Sequence, residues 1–70
     1  MFTINDRVKT IFGCGTVIAF EVIGKSTTYI VTVMETNKTP YRYIVKLDDP
    51  DKWSIKDCDP AFFKEQLELI

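Results

Sequence analysis

Histidine is absent from this seventy-residue chain, and only three glycines, three prolines and two cysteines are present. Without histidine there is no His-containing zinc site and no imidazole base to activate a cysteine nucleophile. Cys14 and Cys58 are too far apart in sequence for a Cys-x-x-Cys redox motif. No run of about eighteen apolar residues occurs, so no membrane-spanning helix is expected. The opening Met1-Phe2-Thr3-Ile4-Asn5-Asp6 lacks a basic segment followed by an apolar one. No secretion signal is therefore expected, and the chain reads as cytoplasmic, beginning at its own first methionine. In that setting two reduced thiols are expected rather than a disulfide.

What is present is β-forming and aromatic. The chain carries five Phe, three Tyr and one Trp. Each buries a large area, which helps a domain this small to hold a core. Residues 1–70 leave room for one domain only. Net charge is −1 with a sequence pI near 5.2, which argues against a general nucleic-acid binder. The charge is unevenly placed: six basic against three acidic residues through Leu47, then three basic against seven acidic from Asp48 onward. A weakly positive sheet followed by an acidic segment results.

The organising stretch is 6–20. Val8, Thr10 and Phe12 alternate with Arg7, Lys9 and Ile11, a period of two that suits a half-buried strand. Gly13 and Gly15 flank Cys14 where the chain is expected to reverse. Residues 16–23 are apolar on both faces, broken only by Glu21, so this second strand is central or bent. Residues 27–36 form a third strand, with Tyr29 and Val31 opposing Ile30 and Thr32. Residues 41–47 form a fourth, with Tyr41, Tyr43, Val45 and Leu47 opposing Arg42, Ile44 and Lys46. Asn5-Asp6 is a turn pair leading into the first strand. Asp59-Pro60 reads as an N-cap and first helical position, opening one or two turns over 61–66. Residues 67–70 close the sheet as a last strand.

These elements make a mainly β fold: a five-stranded SH3-like small barrel with one short helical turn before the last strand. Two stretches carry a family resemblance. Asn5-Asp6-Arg7-Val8, then Gly13-Cys14-Gly15-Thr16-Val17 and Phe20, resembles the opening hairpin of Tudor-like, KOW-like and CarD-type domains. Asp59-Pro60-Ala61-Phe62-Phe63 followed by Leu67-Glu68-Leu69-Ile70 is similar to the closing turn and strand of SH3-like folds. The resemblance implies a partner in the transcription or nucleic-acid machinery. Size and style liken the chain to small accessory proteins of phages and mobile elements.

No catalytic signature is present, and no cofactor is expected. The aspartates 48, 49, 51, 57 and 59 lack the ligand spacing of a calcium loop and read as a solvated, capped turn, so no metal is expected. Cys14 has only Arg7 or Lys9 as a neighbouring cation, too little for a nucleophile without a base. Phe12, Phe20, Tyr29, Tyr43, Phe62 and Phe63 read as core. Tyr41 and Trp53 read as exposed, one opening a strand and the other in a polar loop. With Arg42 they form the expected protein-binding surface, since Trp, Tyr and Arg dominate interface energetics. The alternative is a nucleic-acid face of Arg7, Lys9, Arg42 and Lys46 with Tyr41. The expected object is thus a non-enzymatic module for a protein partner, a monomer or weak homodimer.

Overall fold

In a computed structural model of the chain, residues 2–33, 38–49 and 59–70 are described. Trp53, Asp51, Asp57, Cys58 and the far end of the third expected strand lie outside the described residues. The remainder is a curled half-barrel of antiparallel strands. In chain order these are β1 (Arg7–Thr10), β2 (Gly13–Ile23), β3 (Thr28–Val31), β4 (Pro40–Leu47), β5 (Ala61–Phe62) and β6 (Glu68–Leu69). A 3-10 turn over Lys64–Gln66 joins the last two.

The long β2 lies at the centre. One of its edges pairs with β4 from Gly15↔Leu47 to Val22↔Pro40. The other is shared, by β1 at its start and by β3 at its end. The path β5-β4-β2-β1-β6 then places the two shortest strands at opposite ends of the sheet. Four strand spacings would separate those ends by about 19 Å if the sheet were flat. The connection between them contains a three-residue 3-10 turn, which advances only about 2 Å per residue. Curling brings the ends within its reach.

Burial follows the pleat, with one interruption that explains β2. Val17 pairs with Val45 and Ala19 with Ile44, leaving Ile18 as an extra residue in a bulge. Before the bulge Gly15 and Val17 are buried, and after it Phe20 and Val22 are. Ile18 is therefore set apart from both buried pairs. Both halves of the strand serve a single core of Val8, Val17, Phe20, Val22, Tyr43, Val45, Leu47, Phe62 and Leu67. Phe2, Ile4, Phe12, Tyr29 and Val31 pack around it, half-buried.

The first hairpin forms where expected, but its turn does not. The chain reverses at Ile11-Phe12, and the pairs Thr10↔Gly13 and Lys9↔Cys14 already belong to the ladder. Thr10 closes this turn: its hydroxyl donates to the Gly13 carbonyl at 2.9 Å and accepts from the Phe12 amide at 2.9 Å. Gly13 takes φ +96, which a Cβ would oppose. Gly15 has a different reason to be glycine. A Cβ there would lie 2.6 Å from Val45 Cγ1 and 2.7 Å from the Lys46 carbonyl oxygen. It marks the close approach of β4.

The N-terminal turn matches expectation, with Asn5 at φ 74 and the Thr3 amide donating to Asp6 Oδ2 at 2.9 Å. Asparagine tolerates that left-handed conformation better than most residues. The helix expected from Asp59-Pro60 is replaced by β5. Ala61 and Phe62 pair with Ile44 and Tyr43, and the Val45 amide donates to the Pro60 carbonyl at 3.0 Å. Burying Phe62 to 3% against Tyr43 and Phe12 outweighs the local capping signal. The sheet consequently holds six strands, one more than the five expected, and the helical turn is confined to Lys64–Gln66. The last strand, expected over 67–70, forms at Glu68–Leu69 and pairs with β1.

Urea unfolding of two glycine variants separates the two backbone roles. Gly15→Ala should lose about 3 kcal/mol or more, because strand backbone and a buried valine must move. Gly13→Ala should lose only about 1–2 kcal/mol, for the left-handed φ alone. Equal losses would show that β4 does not approach Gly15 this closely.

Candidate functional site

From Tyr43 onward β4 buries its odd-numbered side chains, while of the even-numbered ones Arg42 is part-exposed, Lys46 is exposed and Ile44 is covered. Tyr41 breaks the pattern. Arg42 pairs with Glu21 but Pro40 pairs with Val22, so Tyr41 is the extra residue of a second irregularity. A bulge re-aims the side chain it carries, and Tyr41 comes out 41% exposed while Tyr43 is 3% exposed. The expected shared face of Tyr41 with Tyr43 is thereby corrected, whereas its expected exposure is found.

Phe63 joins it. Expected in the core, this residue is also 41% exposed and meets Tyr41 edge to face, with ring centroids 5.3 Å apart at 90°. Its neighbour Phe62 takes the core position, and successive residues of an extended segment point to opposite sides. The adjacency Phe62-Phe63 was the available signal that one ring would face outward. The Arg42 guanidinium carbon lies 5.6 Å from the Tyr41 ring centroid and 5.9 Å from that of Phe63, within the range of cation–π attraction.

Arg42 is held from its other side as well. Its Nε donates to Glu21 Oε1 at 2.9 Å, and its terminal nitrogen donates to Glu21 Oε2 at 2.8 Å. This two-pronged arrangement matches the planar guanidinium to the carboxylate. The hydrogen bond to Glu21, opposed by partial desolvation, holds the Arg42 guanidinium above its usual range. Glu21, the one acidic break in an apolar strand, is the residue that orients this arginine.

Beside the pair of rings lies a groove of about 560 Å³, lined chiefly by Phe2, Pro40, Tyr41, Tyr43 and Phe63. Phe2 meets Tyr43 edge to face at 5.1 Å. Exposed apolar surface continues past Arg42: Ile30 stands opposite Glu21 in register, and Ile23 follows two residues later. They are 63% and 56% exposed. The sequence reading placed none of Phe2, Glu21, Ile23, Ile30 or Phe63 in a site.

The basic residues of the alternative reading do lie along the outer face. Arg7 pairs with Thr16, which pairs in turn with Lys46, and Lys9 pairs with Cys14. Arg7, however, is engaged. It donates to Thr16 Oγ1 and to Asp48 Oδ1, both at 2.8 Å, and its second terminal nitrogen donates to Asp48 Oδ2. Of the four cations, Lys9 and Lys46 alone are without an ion-pair partner among the described residues. Cys14 is exposed and free. Among the described residues no three carboxylate, thiol or imidazole side chains converge as a metal site would require. Trp53 lies outside them, so the expected trio with Tyr41 and Arg42 is seen as a pair.

The Arg7–Asp48 contact generates an acid dependence. The hydrogen bond from Arg7 holds the Asp48 carboxyl below the usual carboxylate range, against a smaller desolvation effect. The folded state thus binds fewer protons here than the unfolded chain. The stabilisation is full above the unfolded value of about 3.9 and is lost as pH falls through the lowered folded value. Urea midpoints taken from neutral pH downward should fall more steeply for the wild type than for Asp48→Asn. Added salt should narrow the gap, because both partners are half-exposed. Parallel curves at low salt would remove the contact from the account.

No helix of the described residues is long and apolar enough to cross a membrane. Comparison of the chain with family models, curated proteins and solved structures finds no match.

Proposed function

We propose that the chain is a non-enzymatic interaction module that binds a protein partner through the face built on Tyr41, Arg42 and Phe63. The observation that carries this reading is the pair of perpendicular, part-exposed rings with one guanidinium over both and a carboxylate holding it in place. Fixed aromatic and arginine side chains beside an apolar concavity are the composition of an interface hot spot, because little side-chain entropy remains to be lost on binding. The neighbouring groove and the exposed Ile23 and Ile30 extend the apolar surface available to a partner.

The curled sheet, with a short 3-10 turn before a last strand paired to β1, supports reading the fold as a small SH3-like barrel. The resemblance of the first hairpin to Tudor-like, KOW-like and CarD-type domains supports a partner in the transcription or nucleic-acid machinery. An accessory protein of a phage or mobile element remains the setting its size suggests. The direct nucleic-acid reading is weaker, since Arg7 and Arg42 are already matched to Asp48 and Glu21. Of the four cations of that face, this leaves Lys9 and Lys46 for phosphate contacts.

Affinity capture from the source cells tests the proposal. Immobilised wild type should retain one or a few proteins when salt is raised from about 50 to 200 mM, a change that strips phosphate-driven binders. A Tyr41→Ala/Phe63→Ala variant should lose them, while Ile11→Ala, exposed in the first hairpin turn, should keep them. The ring pair contributes about 0.5–1.5 kcal/mol to folding, so the double variant should still unfold cooperatively. Identical capture by the double variant, or nucleic acid released by salt as the bound species, would reject the reading.

A further inference from the structure

Tyr41 belongs to two concavities at once. On one side is the aromatic groove with Phe2, Tyr43 and Phe63. On the other is a smaller one of about 310 Å³, lined by Ile23, Lys25, Thr27 and Thr28 as well as Tyr41. Among the described residues Tyr41 alone lines both, and so forms the ridge between them.

Their chemistry differs. The larger groove is apolar within, and its charged residues, Lys64 and Glu65, are of opposite sign and adjacent in sequence. Arg42 beside the ridge is matched to Glu21. Lys25 is exposed and has no ion-pair partner among the described residues. Across both concavities the unbalanced charge is therefore the Lys25 ammonium, with the Thr27 and Thr28 hydroxyls nearby as further polar groups. An occupant crossing Tyr41 passes from an apolar environment to a positive one.

We infer that the occupant is an extended peptide segment of the partner, with an apolar side chain in the aromatic groove and an Asp or Glu facing Lys25. This deepens the protein-binding reading above and rests on it. An extended chain advances about 3.3 Å per residue, so a ridge one side chain wide separates the two by about two to four residues. A compact apolar molecule would fill the larger groove and leave Lys25 unused. A segment that crosses Tyr41 uses both.

Synthetic ten-residue peptides with one apolar residue and, two to four positions away, an acidic, a basic or a serine residue test this directly. Binding is followed by fluorescence anisotropy and by amide chemical shifts of the labelled protein. The apolar-acidic series should bind most tightly and shift residues on both sides of Tyr41. Lys25→Glu should weaken that series about five- to tenfold and favour the basic series, as expected for reversing an exposed charge pair. Tyr41→Ala should abolish binding of every series. No peptide binding, equal binding of the three series, or an acidic preference that survives Lys25→Glu would overturn the peptide inference. Any of those results would leave Tyr41-dependent capture of a protein standing. Capture that does not depend on Tyr41 and Phe63 would instead remove the reading beneath it.

Discussion

The pairing of β2 with β4 is the constraint on which the rest of this molecule depends. It is the longest ladder in the sheet, and it supplies most of the buried pairs: Val17 with Val45, Phe20 with Tyr43, Gly15 with Leu47. Close approach at Gly15 leaves no space for a Cβ, so the two strands are in van der Waals contact where β2 begins and β4 ends. The paired segments 15–22 and 40–47 are equal in length, and each carries one extra residue that the other strand does not match. These are Ile18 on β2 and Tyr41 on β4. The first keeps both halves of β2 turned toward one core. The second turns an aromatic ring outward.

The proposed site is therefore a consequence of register. Without the irregularity at Tyr41, strict alternation from Tyr43 would place that ring on the core side. With it, the ring meets Phe63, which arrives from the far end of the chain because β5 pairs with the inner half of β4. Glu21 completes the arrangement from β2, directly opposite Arg42. Three segments distant in sequence thus meet at one small surface.

Charge on the outer face plays a positional part. Exposed ion pairs add little to stability because water and salt screen them. What the Arg7–Asp48 and Glu21–Arg42 pairs provide is fixed orientation. Arg7 ties β1 to the residue just after β4, and Arg42 is steadied between a carboxylate and two rings. The sheet that looked weakly basic along the chain offers fewer available cations than a count of residues implies.

Much of the strand pattern was legible in the chain. The alternation of Val8 and Thr10, the clean period of Tyr43, Val45 and Leu47, and the turn chemistry of Asn5-Asp6 all report local preferences that the fold respects. Other signals were local and lost to longer-range packing. Asp59-Pro60 favoured a helix, yet burying Phe62 against Tyr43 and Phe12 drew the next two residues into the sheet. The paired glycines suggested a turn, yet one relaxes a left-handed backbone and the other admits a neighbouring strand. The turn itself fell to Ile11-Phe12, stapled by the Thr10 hydroxyl.

The order of residues alone determined that this would be a β protein with an apolar central strand, a basic outer face and an exposed tyrosine at the start of β4. Those properties depend on side-chain type and on a period of two, both of which can be read one residue after another. Tertiary structure decided which glycine does which task, which member of Phe62-Phe63 faces water, and which carboxylate meets which arginine. Such choices arise from the relative register of strands far apart in the chain, where a shift of one residue sends a side chain to the opposite face of the sheet.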